Sequence, residues 1–140
     1  MKSYLYALLL VSAIVLTDQK KFDGAINLFQ SYVTPIFEVC SNESSVDAVV
    51  IDNMLANGEF PEHTPLKCFF KCLYNKLGIV NEYGHIQPEN MRKYTGTDNK
   101  YISEWIYRYC QYNGIKDLCE KAFHMARCTY NTVKIAYNNP

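Results

Sequence analysis

The sequence predicts an all-α fold, and three observations support this. Apolar residues recur three or four positions apart along nearly the whole chain, as they do on one side of a helix. No segment shows the apolar–polar alternation of a half-buried strand. The chain also has no internal repeat, low-complexity tract or linker, so it is predicted to form one helical domain after its first residues.

The first 17 residues have the organisation of a secretory signal peptide. Lys2 supplies one positive charge, and a segment without charge follows from Tyr4 to Leu16. That segment is too short to span a bilayer, which takes roughly 20 apolar residues. We expect cleavage after Thr17, with Ala13 as the alternative, and secretion of residues 18–140 as a single domain into an extracellular compartment.

The charge distribution bears on the class of partner. The chain carries 14 basic and 14 acidic residues, and the basic residues are scattered singly or in pairs. Nucleic-acid binding needs a basic face, because the release of counterions from phosphates drives the affinity. The sequence therefore argues against a nucleic-acid partner.

Pro35 interrupts the first predicted helix. Apolar residues at helical spacing run from Ala25 to Cys40, but a proline removes a backbone hydrogen bond, so a kink or a break is expected. Residues 42–45 then offer a cap for a second, shorter helix that ends at Gly58. The inward residues of this second helix are predicted to be Val46, Val49, Val50 and Met54.

The third predicted helix begins at a threonine–proline pair. Thr64 is expected as its N-cap, Pro65 as its first residue, and Gly78 ends it. Residues 81–84 are predicted to turn, and a short helix is expected around residues 88–94. The apolar side of the third helix comprises Leu66, Phe69, Phe70, Leu73 and Leu77.

Two further helices complete the prediction. Thr97 or Asp98 is expected to cap the first of them, whose inward stripe is Ile102, Trp105, Ile106, Tyr109 and Cys110. Gly114 breaks the chain, and the last helix runs from about Asp117 past Cys128. It is apolar over most of its circumference and is therefore predicted to be central. Its polar side is expected to consist of Lys116, Glu120, Lys121, His124 and Arg127.

The six cysteines predict three disulfides. They are separated by 27, 3, 37, 8 and 8 residues, and none of these gaps suits a zinc site, so no metal or cofactor is expected. Cys119 and Cys128 lie roughly 13 Å apart along one helix, too far to bond. Cys68 and Cys72 point roughly parallel on another helix. Excluding both pairs leaves ten of the fifteen possible connectivities open.

This cysteine spacing resembles the six-cysteine signature of the insect odorant-binding and pheromone-binding proteins. The resemblance covers essentially all of residues 18–140 and extends to Pro35, five residues before Cys40, to Leu66-Lys67-Cys68, and to residues 117–122. It implies about six helices around an internal apolar pocket, stapled by three interlocked disulfides, with no cofactor. The pairs that it implies are Cys40–Cys72, Cys68–Cys119 and Cys110–Cys128.

The resemblance also implies a function and partners. The protein would carry an odorant, a pheromone or a similar small hydrophobic molecule through an aqueous fluid. It would act as a monomer or weak homodimer, and a membrane chemoreceptor would be a further partner.

The candidate pocket residues come from two sources. Positions counted from the cysteines by resemblance are Val33, Phe70, Tyr74, Tyr107, Ala122, Met125 and Thr129. The helical stripes support two lines, Phe70–Tyr74–Leu77 and Met125–Thr129–Val133, but favour Ile106 over Tyr107, and both stay candidates. The set is completed by Phe37, Met54, Leu73 and Met91.

Two other classes of function were weighed against the carrier. A secreted interaction or sequestering protein on the same scaffold would bind an amine or a receptor, and an amine calls for a buried acid, which no predicted apolar stripe contains. An enzyme is not expected. The chain lacks a Gly-x-Ser-x-Gly elbow, and with its cysteines bonded no nucleophile has an obvious base.

Three smaller features carry weaker expectations. His124 is predicted to be solvated, and a pH switch at His63 or His85 is an alternative hypothesis. Asn42 begins a glycosylation sequon in a predicted loop, where crowding by the nearby Cys40 argues against modification. The tail after Cys128 is predicted either to fold over the pocket or to fray, with neither outcome favoured.

Overall fold

The computed structural model of the protein describes residues 20–95 and 97–138. The predicted signal peptide, residues 1–17, lies outside these residues. Helix α1 covers residues 20–33 and continues through a 3-10 turn at Thr34–Ile36 into α2, Phe37–Ser44. The later helices are α3 (Ala48–Asn57), α4 (Thr64–Lys76), α5 (Pro88–Lys93), α6 (Lys100–Tyr109) and α7 (Leu118–Asn138).

The all-α prediction is confirmed. Counted with α1 and α2 as one kinked run, the described residues form six helices, and their strand-like pairing is limited to one isolated bridge between Val80 and Ile86. The kink occurs at Pro35, where the backbone tightens into the 3-10 turn instead of breaking.

The helix ends follow local chemistry, with three corrections to the predicted caps. The cap of α3 is Asp47, whose side chain accepts a hydrogen bond from the backbone N–H of Val49, and not a residue of the segment 42–45. His63 is the N-cap of α4, so Thr64 and Pro65 occupy its first two helical positions. The cap of α6 is Asn99, whose side chain accepts hydrogen bonds from the backbone N–H groups of Tyr101 and Ile102. An asparagine at this position satisfies donors that the helix leaves unpaired.

Helices α4 and α7 form the centre of the core. Each contributes six or more buried residues, and they pack against one another along their length. Helix α2 packs on α4, while α6 packs on both α5 and α7. The prediction that the last helix is central is therefore confirmed.

Three disulfides cross-link this core as the resemblance implied. Cys40–Cys72 joins α2 to α4 with a Cα–Cα distance of 5.4 Å, and Cys68–Cys119 joins α4 to α7 at 4.5 Å. Cys110–Cys128 joins the end of α6 to α7 at 5.6 Å. Helices α4 and α7 are thus each cross-linked twice.

Four side-chain orientations differ from the prediction. On α6 the buried residues are Ser103 and Ile106, whereas Trp105 and Tyr109, expected inward, are 57% and 60% exposed. The reason is that α6 buries a narrow face only, between α5 and α7. Val49 of α3 is also exposed, and Lys121, expected on the polar side of α7, is buried.

Two segments expected to be irregular are helical. Asn42 lies within α2 with an exposed side chain, and not in a loop. The tail after Cys128 continues α7 as far as Asn138, so the described tail neither frays nor folds back. Within it, the Tyr137 hydroxyl is 2.9 Å from Thr97 Oγ1, which connects the end of α7 to the segment before α6.

Candidate functional site

An apolar cavity lies between α1, α3, α4, α5 and α7. It has a volume of about 60 Å³, room for a few water molecules. Its walls are almost entirely hydrocarbon, aromatic ring and methionine sulfur. The lining residues are Ala25, Ile26, Phe29, Met54, Leu55, Phe60, Phe70, Tyr74, Ile79, Met91, Tyr94, Thr95, Met125, Ala126, Thr129, Tyr130 and Val133.

Helical spacing brings two lines of side chains to this cavity. Phe70 and Tyr74 lie one turn apart on α4, and Met125, Thr129 and Val133 succeed one another at four-residue intervals on α7. Residues four apart share one helix face, so each helix presents a continuous strip to the same space. These five residues were all sequence candidates.

The remaining candidates are divided among different places. Met54 of α3 and Met91 of α5 also line the cavity. Val33, Phe37 and Leu73 line a neighbouring groove. Ile106 and Ala122 are buried in the core, and Leu77 packs against it without bordering the cavity.

Ile106 and Tyr107 were alternative candidates for the pocket, and neither side chain borders the cavity. Tyr107 borders a separate hollow, and its ring lies 3.9 Å from the guanidinium of Arg92. Both residues are kept from the cavity because α6 packs against α5 and α7.

Ten lining residues were not candidates. Ala25 and Phe29 lie on the predicted stripe of the first helix, so extending the candidate set along that stripe would have included them. Phe60, Ile79 and Thr95 lie outside helices, where apolar periodicity carries no signal. The other missed residues are Ile26, Leu55, Tyr94, Ala126 and Tyr130.

Phe60 closes one side of the cavity from the loop between α3 and α4. Its ring centroid is 5.5 Å from that of Tyr130 and 5.9 Å from that of Phe123, both edge-on, and 6.2 Å from the stacked ring of Phe70. Aromatic pairs at these distances attract one another beyond the area that they bury. The loop is therefore held to the core by Phe60.

Polar atoms reach the cavity at Tyr74 and Thr129. The Thr129 hydroxyl donates to the carbonyl oxygen of Met125 at 2.8 Å, and the Tyr74 phenol lies nearby. Burial raises the pKa of Tyr74 well above its usual range, and the Thr129 hydroxyl beside it opposes this only in part. Tyr74 therefore stays protonated and can donate a hydrogen bond.

A second polar group lies at Thr95. Its hydroxyl is 3.0 Å from Ser103 Oγ in the buried contact between α6 and the preceding segment. It also lies 3.3 Å from the carbonyl oxygen of Arg92. The residues with hydroxyl groups in an otherwise apolar lining are Tyr74, Tyr94, Thr95, Thr129 and Tyr130.

The neighbouring groove lies along the kink between α1 and α2 and has a volume of about 400 Å³. It shares Phe29, Met54, Leu55 and Phe70 with the cavity, so these four side chains form the partition between the two spaces. Met54 has three rotatable bonds and adapts its shape readily. Met54 is therefore the most adaptable of the four side chains in the partition.

Residues 20–95 and 97–138 offer neither a metal site nor a membrane-spanning helix. No cluster of potential ligand side chains there could hold a metal ion. No helix in the same part of the chain is both long and apolar enough to cross a membrane.

Comparison with known proteins places the chain in a family. The model of the PBP/GOBP family matches residues 29–132. General odorant-binding protein 57e of Drosophila melanogaster is 24% identical over 105 residues, which cover 74% of this chain and 76% of that protein. General odorant-binding protein 69a of the same species is 21% identical over 89 residues, 64% of this chain and 60% of that protein.

No solved structure is a significant match to the chain. The family match nevertheless spans most of the described helices and includes all six cysteines, whose pairing the structure gives independently. The chain belongs to the PBP/GOBP family of insect odorant-binding proteins.

Proposed function

We propose that this protein binds a small hydrophobic molecule of the odorant or pheromone kind in the apolar cavity and carries it through an aqueous fluid. The observation that carries the proposal is the cavity between α1, α3, α4, α5 and α7, with its apolar wall and its few hydroxyl groups. Sites for small ligands combine these features, because apolar burial supplies affinity and a few polar groups orient the ligand. Both curated relatives are named as odorant-binding proteins.

The ligand is expected to be flexible and to enlarge the cavity as it enters. The present space holds only a few water-sized spheres, less than a molecule of ten carbon atoms needs. Met54, Met91 and Met125 border it from three different helices. Methionine side chains can rearrange at little cost, so the wall can adapt to elongated ligands.

The polar atoms favour one oxygen-containing group on the ligand. The protonated Tyr74 phenol can donate a hydrogen bond to an alcohol, aldehyde or ester oxygen, with Thr129 beside it. The described lining contains no Asp or Glu, so the cavity offers an amine no carboxylate to pair with. The amine-sequestering alternative is therefore the weaker one.

The test is a titration of refolded, disulfide-intact residues 18–140 with a fluorescent apolar probe. Displacement then follows with alcohols, aldehydes and esters of graded chain length. Saturable micromolar binding is expected, with displacement by some of these compounds.

Two variants make the titration specific to the cavity. Met125→Trp fills it and should abolish probe binding, whereas Ile135→Trp adds the same side chain at an exposed position of the same helix and should not. Correctly paired protein that binds no probe would contradict the carrier proposal and favour an interaction protein. The assigned activity is binding, with no catalytic step.

Secretion and partners belong to the same proposal. We propose that residues 1–17 are a signal peptide, that residues 18–140 are one extracellular ligand-binding domain, and that a membrane chemoreceptor takes up the ligand. Expression of the full chain in insect cells followed by mass spectrometry of the medium tests the first point. A secreted chain beginning at Asp18 is expected, and retention of the intact chain in cells would contradict it.

A further inference from the structure

Lys121 is a buried cation on α7 that the cavity does not use. Lys121 is only 4% exposed. Its Nζ atom donates hydrogen bonds to the backbone oxygen of Gly84 at 2.6 Å and to Asn113 Oδ1 at 3.3 Å. Both acceptors are neutral. A lysine ammonium has three N–H donors, so one has no acceptor among the described residues.

The charge of Lys121 also lacks a partner within residues 20–95 and 97–138. No carboxylate in this part of the chain lies within 4.0 Å of its Nζ atom. The nearest acids in sequence are engaged elsewhere: Asp117 accepts from the backbone N–H of Glu120, and the Glu120 side chain pairs with Lys67. Burial without an anion lowers the pKa of Lys121. An unpaired buried charge is costly, and proteins usually supply a counter-ion.

Lys121 borders a hollow that is open to solvent. The hollow has a volume of about 670 Å³ and lies between residues 83–86, the end of α6 and residues 111–118. Its lining contains no acid and has a second cation at Lys116 and an imidazole at His85.

The composition of this lining defines a ligand class. Cations without acids favour an anion, and the hydrocarbon of Ile86, Ile115 and Leu118 favours a short apolar group beside it. A carboxylate can accept the free N–H of Lys121 as a charge-assisted hydrogen bond. The hollow shares no lining residue with the apolar cavity, so such a ligand would occupy a separate place.

We propose that the hollow at Lys121 is a second binding site, which takes a small organic carboxylate. The carboxylate pairs with the Lys121 ammonium, and the short hydrocarbon part lies against Ile115 and Leu118. This site does not depend on the proposed carrier function of the cavity.

The experiment is a titration of the disulfide-intact, isotope-labelled protein with sodium butanoate, followed by NMR at the backbone amides of Gly84 and Asn113. Saturable shifts at these amides are expected. Butan-1-ol has the same hydrocarbon chain without the charge and should leave them unchanged, as should sodium chloride at equal ionic strength. Butanoate should also fail to displace the apolar probe, since the two sites have different linings.

The variant Asn113→Asp distinguishes a carboxylate-binding site at Lys121 from a purely structural role of the Lys121 hydrogen bonds. The substitution is nearly isosteric and places a carboxylate on Lys121 from within the protein, so butanoate affinity should fall at least tenfold. Asn131→Asp changes the charge equally at an exposed position of α7 and should leave the affinity unchanged. Lys121→Met removes the cation and should abolish binding.

Three outcomes would overturn the proposal. Shifts that do not saturate, shifts that chloride reproduces, or shifts that persist in Asn113→Asp would each show that Lys121 only fastens the Gly84 loop to α7. Asn113→Asp keeps the result decisive even if Lys121→Met fails to fold.

Discussion

The walls of the cavity are built in two different ways. Helices α4 and α7 form one wall and are joined to each other and to α2 and α6 by three disulfides. Helices α1, α3 and α5 form the opposite wall and carry no cysteine. The first wall has a covalently limited geometry, whereas the second is held by packing and hydrogen bonds. The ligand proposed for this cavity would meet one wall that stays in place and one that can yield.

Helix α3 shows how lightly the second wall is held. Its buried residues are Ile51 and Met54, and its ends are an Asp47 cap and a left-handed Gly58. One side-chain hydrogen bond ties it to α7, from the Tyr130 hydroxyl to the carbonyl oxygen of Leu55 at 3.2 Å. Elements with few buried contacts open at lower free energy than the rest of a fold. We expect α3 to be the part that moves.

The largest effect on stability should come from removing a disulfide of the first wall. Replacing Cys68 and Cys119 together by serine opens a loop of 51 residues and should lower the free energy of unfolding by about 4 kcal/mol. The same change at Cys110 and Cys128 opens 18 residues and should cost about 3 kcal/mol. Urea unfolding measures both values, and a larger loss for the shorter loop would contradict the ranking.

Two methionines on opposite walls should differ in their response to truncation. Met125→Ala leaves a hole beside helices that cannot close on it, and we expect a loss of about 4 kcal/mol. Met54→Ala lies on α3, which can relax into the space, and should lose about 2 kcal/mol. Equal losses in urea unfolding would mean that α3 is as rigidly held as α7.

Gly84 tests how tightly a loop is fitted to the first wall. Its φ of +86° strains any other residue, and an added Cβ would lie 2.8 Å from Leu118 Cδ2. Gly84→Ala should therefore cost about 2 kcal/mol of unfolding free energy. Gly114→Ala is the matched control, because nothing lies within 4 Å of its added Cβ, and its melting temperature should stay near that of the parent.

Tyr130→Phe removes the hydrogen bond that ties α3 to α7 and keeps the aromatic ring in place. We expect a global loss of about 1 kcal/mol, with faster amide hydrogen exchange concentrated in α3. Tyr101→Phe, at an exposed ring, is the control. Unchanged exchange in α3 would show that this hydrogen bond does not hold the helix.

The smallest expected effect is a change with pH in the loop that carries Phe60. Glu62 in that loop pairs with Lys67, and this hydrogen bond lowers the pKa of Glu62 below its ordinary value of 4.5. A carboxylate with a lowered pKa stabilises the fold above its ordinary pKa, and this contribution is lost as the pH falls through the lowered value. The backbone amide signal of Phe60 should therefore change as the pH falls below 4.5.

Glu62→Gln should remove that step from the titration of the Phe60 signal. Glu82→Gln alters an exposed acid that forms no ion pair among the described residues and should leave the step in place. Other charged groups facing Glu62 are Arg127 and, further away, His124. A step that survives Glu62→Gln would show that Glu62 is not its source.

Much of the fold could be predicted because a helix is specified by residues that lie close together in the sequence. The stripes at 66–77 and 122–133, the kink at Pro35 and the end at Gly58 all depend on near neighbours in the sequence. The two lines of cavity residues on α4 and α7 followed from the same periodicity. The disulfide pairing required the family resemblance, since helix geometry alone left ten connectivities.

The orientation of α6 could not be predicted in this way. Its sequence has apolar or aromatic residues on more than one face, and periodicity does not say which face packs. The structure buries Ile106 and leaves Trp105 exposed, because the space between α5 and α7 admits one narrow face.

The sequence by itself determined the helical class, the positions of most helix ends and the chemistry available for a ligand. Tertiary structure alone decided which candidates share one cavity, how Phe60 closes it, and that Lys121 is buried against Gly84. The physical reason is distance along the chain. Local rules act over a few residues, whereas the contact of Lys121 with Gly84 spans 37 residues and exists only after the helices have packed.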